Sequence, residues 1–443
     1  MTADLAVDVA IAGGGACGLV TALRAAANPD LVVGIFEKST REGCNAAISS
    51  GSLAAAGTRF QAEKGIADSP REHADEIIAQ SGDEGWRPVV EAVCRVAPAF
   101  VEWLSGTGYP VELGVDMPRA GMSVPRLHTD QGRQGGGRLV RHLRELVAAR
   151  DNIAFVDEAP VTGLLPAGAG VGGVSIRQNG VEQRVRAGAV VLACDGFANN
   201  PELTRTHLSH LGSPFYGGVS TATGDALGWV EPFGARLRNM GAALRSGLVV
   251  VGHGTRVSPA LQFSGAVLLD TEGRRFLDEE SKGYSALAGI LQQQPGECAA
   301  MVWDDLAMER TRESELMRAS IDAGAVRRAG STAELAAQLG LDETLVASAL
   351  EPLPARRRLV PPYHLAWVTH GILATQGGLV VDAGGRVLGH DDEPVPGLYA
   401  GGGTVCGFAG ESSDGYLSGN GLLSAFGLGW LIGGTLARLR GAD

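Results

Sequence analysis

Gly13, Gly15 and Gly18 are the residues whose type and spacing speak first to chemistry. They form a G-x-G-x-x-G fingerprint between an apolar run at 7–12 and an alanine- and leucine-rich stretch at 19–27. A short apolar run bounded by glycines reads as a buried parallel strand, and the stretch after it as a helix. In that setting the first glycine makes a tight turn. The second lets a pyrophosphate approach backbone N–H groups, and the third lets helix pack against strand. The helix then aims its positive end at the phosphate. A second apolar run, 31–36, completes a strand–helix–strand unit and ends at Glu37. A carboxylate about 20 residues beyond the fingerprint is placed to bind ribose hydroxyls and disfavours a 2′-phosphate. NADP is therefore not expected at this site.

Other elements must carry that cradle. A chain of 443 residues accommodates two large domains, or one domain with a big insertion. Ser69-Pro70 followed by Glu72, Asp75 and Glu76 predicts a helix over 69–80, with acidic residues near its positive end. Helical spacing of apolar residues predicts another over 138–149, and strand-like stretches fill 153–193. From about residue 240, strands at 248–252 and 266–270 alternate with helices at 285–293 and 332–349. Residues 352–362 read as an exposed connector, with Arg356, Arg357 and Arg358 solvated in preference to binding phosphate. Short strands at 378–382 and 397–401 precede a closing helix at 421–437.

Composition excludes several classes. A net charge of −12 argues against a nucleic-acid binder. With 45% hydrophobic and 19% charged residues, a full core is available and wholesale disorder is excluded. The 65 glycines imply many close backbone approaches. Cys17, Cys44, Cys94, Cys194, Cys298 and Cys406 form no C-x-x-C pair, so no zinc, iron–sulfur or c-type haem site is expected, nor any other metal. The start lacks a basic segment and carries Asp4 and Asp8, so no signal peptide is read and the cytoplasm is expected. The glycine-rich run 421–437 falls short of the ~20 apolar residues of a membrane span, so no membrane insertion is expected.

Further motifs carry a resemblance. Glu37-Lys38 leads to Asn45-Ala46-Ala47-Ile48-Ser49-Ser50-Gly51. Val190-Val191-Leu192-Ala193-Cys194-Asp195-Gly196-Phe197, Thr223-Gly224-Asp225-Ala226 and Gly273-Arg274-Arg275-Phe276-Leu277-Asp278-Glu279 follow. Pro396-Gly397-Leu398-Tyr399-Ala400-Gly401-Gly402-Gly403 comes near the end. In this order they resemble the flavoprotein family of fumarate reductases, succinate dehydrogenase flavoprotein subunits and 3-ketosteroid dehydrogenases, over essentially the whole chain. The resemblance implies an α/β fold: a Rossmann-like FAD-binding domain of the glutathione-reductase type, interrupted by an α+β capping domain. Residues 1–239 and 371–443 would form the former and 240–370 the latter. It implies FAD, held by Gly13, Gly15, Ala16, Cys17, Gly18, Glu37 and Lys38, then by Asn45, Ala46, Ser49, Ser50 and Gly51. Asp195, Gly196, Gly402, Gly403, Gly419, Asn420, Leu422 and Leu423 would complete the site. Some relatives bind FAD covalently through a histidine near Asn45; Cys44-Asn45 offers none, so FAD is expected to be noncovalent.

Departures from the family pattern point to the substrate. The catalytic arginine of dicarboxylate reductases aligns with Gly283, their C-terminal substrate arginine with Tyr416, and their histidine with Leu373 or Ala374. Arg245 is left to supply one cation. Ketosteroid dehydrogenases instead carry tyrosines near Tyr284 and Tyr416, and Tyr416-Leu417-Ser418-Gly419 is similar to their Δ4-(5α) branch, although Δ1 enzymes share the pattern. The reaction expected is removal of two hydrogens beside the carbonyl of a cyclic ketone, steroidal or cyclohexanone-like. Tyr416, helped by an N–H of the 419–421 turn, would polarise the oxygen. Tyr284 would take the α proton, with Lys282 or Arg245 lowering its pKa from about 10. Ser418 would orient Tyr416 or relay a proton, and flavin would accept the β hydride. His128 is read as ordering a loop. The rivals are reduction of an enone or unsaturated acid, and a noncatalytic flavin-binding subunit. Electrons would pass to an unidentified acceptor, and a homo-oligomer is left open.

Overall fold

The computed structural model describes residues 5–115, 119–131, 135–354, 356–411 and 415–438. Its larger sheet has eight strands. Strand Leu5–Ala12 lies at the centre, parallel to Val33–Phe36 on one side and to Val181–Leu192 on the other. Pro394–Ala400 extends the sheet beyond Val181–Leu192, and Ile153–Val156 extends it beyond Val33–Phe36, again in parallel. Both faces of such strands are buried, which is why they read as continuous apolar runs. The register sets Ala12 opposite both Phe36 and Leu192, and Ala400 opposite Leu192. The segments beginning at Gly13, Glu37, Ala193 and Gly401 therefore leave from one edge, although the sequence separates them widely. That carboxyl edge is where open α/β sheets bind ligands.

Two helices pack beside this edge. Ala16–Ala25 follows the glycine turn, and Asn420–Leu436 lies against it. The approach depends on missing side chains. A Cβ at Gly429 would lie 2.8 Å from the Cys17 carbonyl oxygen, and one at Gly433 would lie 2.6 Å from that of Thr21. The glycines of this 17-residue helix thus serve helix packing. Among the described residues no helix is long and apolar enough to cross a membrane.

The second sheet has six strands built around Tyr363–Thr375, whose 13 residues pair with Phe215–Tyr216, Ala243–Val250, Cys298–Asp304 and Arg327–Ala329. Val267–Leu269 borders Cys298–Asp304. Trp303, Met301 and Leu268 fill the core on one face of this sheet.

Several elements depart from the sequence reading. The helix expected over 332–349 is two, Thr332–Leu339 and Glu343–Ala349, because Gly340 takes a left-handed φ of 71° and Asp342 caps the second. A 20-residue helix, Arg87–Gly106, runs through Pro98, which masked its apolar periodicity. The arginine cluster is ion-paired as well as partly solvated: half-buried Arg356 pairs with Asp278 and Glu280, half-buried Arg357 with Asp304, and exposed Arg358 with Glu351. These pairs fasten the connector to the second sheet and leave no free phosphate site there.

Candidate active site

A cavity of about 1340 Å3 opens at the carboxyl edge of the larger sheet. Gly13, Gly15, Ala16, Cys17, Glu37, Lys38, Asn45, Ala46, Ser49, Asp195, Gly402, Gly403, Asn420 and Leu422 all line it. Gly13 holds a φ of 105°, and a Cβ there would stand 2.4 Å from the Ala193 carbonyl oxygen. Gly15 lines the cavity, where a Cβ would come into ordinary contact with the Cys44 side chain at 3.5 Å. Six expected binding residues stand off this wall. A Cβ at Gly18 would lie 2.0 Å from the Gly13 oxygen, so Gly18 is the glycine that lets helix meet strand. Gly51 packs on the backbone of Gly135 and Gly196 on Thr375, while Leu423 turns into the core. Ser50 and Gly419 face a second cavity.

The polar groups of the first cavity are organised by one another. The buried Glu37 carboxylate accepts N–H bonds from Gly14 at 2.6 Å and Ser39 at 2.9 Å, so it holds the glycine turn as well as facing the cavity. Lys38 Nζ is engaged by Asp225 at 2.6 Å and Thr223 at 2.8 Å. Asp195 sits at a φ of 68°. It accepts bonds from the Gly196 N–H at 2.8 Å and Asn45 Nδ2 at 2.7 Å, and burial raises its pKa. Burial pushes the Cys17 and Cys194 thiols up to about 12, so both behave as small apolar groups. No metal-binding cluster occurs among the described residues.

This wall fits a large heteroaromatic cofactor. Both amide atoms of Asn420, Ser424 Oγ and Gln376 Oε1 are buried on it without a hydrogen-bond partner. Each unsatisfied group costs about 1–3 kcal/mol, and a ligand with ring nitrogens and carbonyls would satisfy them. The N-terminus of the last helix adds positive potential at Asn420 and Gly421.

A second cavity of about 1940 Å3 lies between the two sheets and shares Ser49, Leu244, Tyr416 and Leu422 with the first. Tyr284, the first residue of helix Tyr284–Leu291, also lines it, with Ser418. The rings of Tyr284 and Tyr416 meet edge to face, 6.2 Å between centroids. Gly421 N–H donates to Tyr416 Oη at 2.9 Å. The neighbouring hydroxyls of Tyr416 and Ser418 favour the Tyr284 anion, as do the nearby charges of Arg256 and Arg119. Burial outweighs all four, so the Tyr284 pKa stands above the usual phenol value, and that of Tyr416 far above it. Tyr284 is thus a neutral phenol in the resting site.

Four roles assigned from sequence change. Lys282 is exposed and off both cavities. Arg245 Nη2 bonds to Gln292 Oε1 at 2.8 Å and reaches the Ala288 carbonyl, at the far end of the Tyr284 helix. The cations that face Tyr284 are Arg256 and Arg119, which no motif marked. Among the described residues no hydrogen bond joins Ser418 to Tyr416, and Ser418 instead favours the Tyr284 anion. His128 bonds to Thr58 Oγ1 at 2.9 Å and the Arg126 carbonyl at 2.9 Å, off both cavities, with its pKa lowered to about 4 by burial. It sits in strand Leu127–Asp130 and not in a loop, and its bond to Thr58 ties that strand to the N-cap of helix Arg59–Ala62.

Comparison with known proteins agrees with this geometry. A family profile described as FAD binding domain matches residues 8–422. The chain is 28% identical to an NADH:fumarate oxidoreductase of Klebsiella pneumoniae (strain 342), covering 97% of this chain and 48% of the relative. The chain thus spans about half the length of that relative. It is 27% identical to a fumarate reductase (cytochrome) of Shewanella frigidimarina, over 98% of this chain and 77% of the relative. A 3-ketosteroid-Δ4-(5α)-dehydrogenase of Rhodococcus jostii RHA1, solved with 4-androstene-3,17-dione, has a similar fold. Its TM-score is 0.75 at 23% identity, covering 98% of this chain and 97% of that one.

Proposed function

The chain belongs to the FAD binding domain family, and from that premise we propose that it is an FAD-dependent oxidoreductase acting on a CH–CH bond, a dehydrogenase that introduces a C=C bond beside the carbonyl of a cyclic ketone. The relatives reported above are named as reductases or dehydrogenases, which supports the reaction class. The observation that carries the ketone reading is the placement of Tyr416 on the wall common to both cavities, with Tyr284 and Ser418 beside it.

FAD would occupy the first cavity, held by the glycine turn, Glu37, the 43–46 segment and the start of the last helix. Its lining contains no histidine, which supports noncovalent attachment. Bound FAD supplies a hydride acceptor. The substrate carbonyl would take the Tyr416 hydroxyl as donor. Gly421 N–H donates to that phenol oxygen, so it strengthens the donor in place of binding the carbonyl itself. Tyr284 would take the α proton, its anion favoured by the Ser418 hydroxyl and the guanidinium of Arg256.

One observation favours the reverse direction. A neutral Tyr284 is a ready proton donor, as reduction of an enone or unsaturated acid requires. Arg256 and Arg119 also restore cations that the motif comparison counted as missing. Tyr416 on the shared wall, with Tyr284 beside it in the second cavity, speaks against a noncatalytic subunit. Anaerobic mixing of the yellow holoprotein with saturated cyclic ketones tests the direction. Bleaching of the flavin is expected. Reoxidation of the reduced protein by enones alone would reverse the assignment, and inertness in both directions would remove it.

A further inference from the structure

Arg256 enters the second cavity from a tight hairpin. Val250 N–H bonds to the Thr255 carbonyl at 2.8 Å, and Val257 N–H to that of Leu248 at 3.1 Å. The backbone between is fixed further by Ser320 Oγ, which donates to the Arg256 carbonyl at 2.9 Å. One guanidinium nitrogen, Nη2, donates to the Ile48 carbonyl at 3.0 Å, across the gap between the two sheets. Arg256 has no carboxylate partner among the described residues. By contrast, Lys38 on the wall of the first cavity is matched by Asp225. Burial lowers the Arg256 pKa, and Tyr284 is the group that opposes the shift. Arg256 is half-buried and keeps donors to spare, and a guanidinium answers best to a planar, bidentate acceptor.

The wall around it is rich in hydroxyls: Ser49, Ser50, Ser52, Ser246, Ser258 and Ser418 line the same cavity. Glu309, Glu313 and Glu315 also line it, but they are exposed, and Arg312 pairs with the first two. The charge pattern is two half-buried arginines, Arg256 and Arg119, on the wall, and a mixed group of exposed charges, Glu309, Arg310, Glu313 and Glu315, where the cavity meets solvent.

The geometry points to a carboxylate subsite at Arg256, so that the substrate is a small ring ketone that also carries a carboxylate, rather than a neutral steroid. The carbonyl would meet Tyr416 and the carboxylate the free edge of the Arg256 guanidinium, with serine hydroxyls as secondary donors. This assignment rests on the ketone reading for the carbonyl end only; the anion subsite stands on Arg256 itself.

The test compares two probes on the FAD-loaded protein: 4-oxocyclohexane-1-carboxylate and its neutral carboxamide. Dissociation constants are read from perturbation of the flavin spectrum, and flavin reduction is followed separately. The carboxylate is expected to bind at least tenfold more tightly, with a preference that weakens as salt rises. Arg256→Gln should bring the two probes to parity, and Arg256→Lys should keep part of the preference, both with full flavin content. Equal binding in the wild type overturns the subsite. So does a preference that survives Arg256→Gln, or a variant that weakens both probes alike. If neither probe reduces the flavin but the carboxylate still binds through Arg256, the subsite holds and the ketone reading falls. Reduction by both probes without discrimination keeps that reading and removes the subsite.

Discussion

Tyr284 and Tyr416 differ in what surrounds their oxygens, and the roles proposed for them rest on that difference. Tyr416 accepts from Gly421 N–H and packs edge to face with Tyr284. Tyr284 receives hydroxyls and faces guanidinium charge, yet burial keeps it protonated. Removing the proton acceptor should slow flavin reduction by about 10²–10⁴-fold, the range for general acid–base catalysis. Tyr284→Phe is therefore expected to show that loss in rapid-mixing traces while retaining FAD. The sign of the pH dependence follows from the raised pKa. Dehydrogenation needs the phenolate, so its rate should climb with pH across the neutral and alkaline range towards a pKa above the usual phenol value. Enone reduction needs the phenol, so its rate should stay level there and fall only above that pKa. A dehydrogenation rate independent of pH would remove Tyr284 as the base. Much of this constellation was legible in sequence, because Tyr416 and Ser418 sit in one short segment before the last helix. Arg256 was not, since a hairpin 28 residues ahead of Tyr284 brings it in, and no local pattern signals it.

Elements placed these residues by packing that composition records only indirectly. The last helix must lie close enough to Ala16–Ala25 for Asn420 and Gly421 to reach the cavity, and Gly433 permits this because a Cβ there would stand only 2.6 Å from the Thr21 oxygen. Gly433→Val should push the helices apart, cost about 1–3 kcal/mol as overpacking does, and lower FAD retention. A thermal melt checks the first effect and the flavin-to-protein absorbance ratio the second; no change in either would deny the helix contact its role. The first strand, the glycine turn, the first helix and the closing helix were all readable, since each pairs a strong apolar period with a glycine or proline boundary. Strand Tyr363–Thr375 was missed. It mixes His364, Thr369, His370 and Gly371 with apolar residues, and its partners lie as far back as Phe215. Arg87–Gly106 was hidden by Pro98 in its interior.

At the scale of the whole molecule, two sheets hold one reaction space between them. The larger sheet offers a cofactor cavity at its carboxyl edge, and the smaller one roofs the second cavity with Tyr284 and Arg256. We propose that the smaller sheet acts as the cap over an FAD-binding body. The central claim is that Tyr416, on the wall common to both cavities, activates a substrate carbonyl for hydride transfer to FAD. Donors of this kind are worth about 10²–10³ in rate. The most direct measurement is the anaerobic rate of flavin reduction by a saturated cyclic ketone in wild type and Tyr416→Phe, both loaded with FAD. The account predicts rapid bleaching in the wild type and a rate at least a hundredfold lower in the variant, with unchanged flavin content. Equal rates in the two proteins would contradict it.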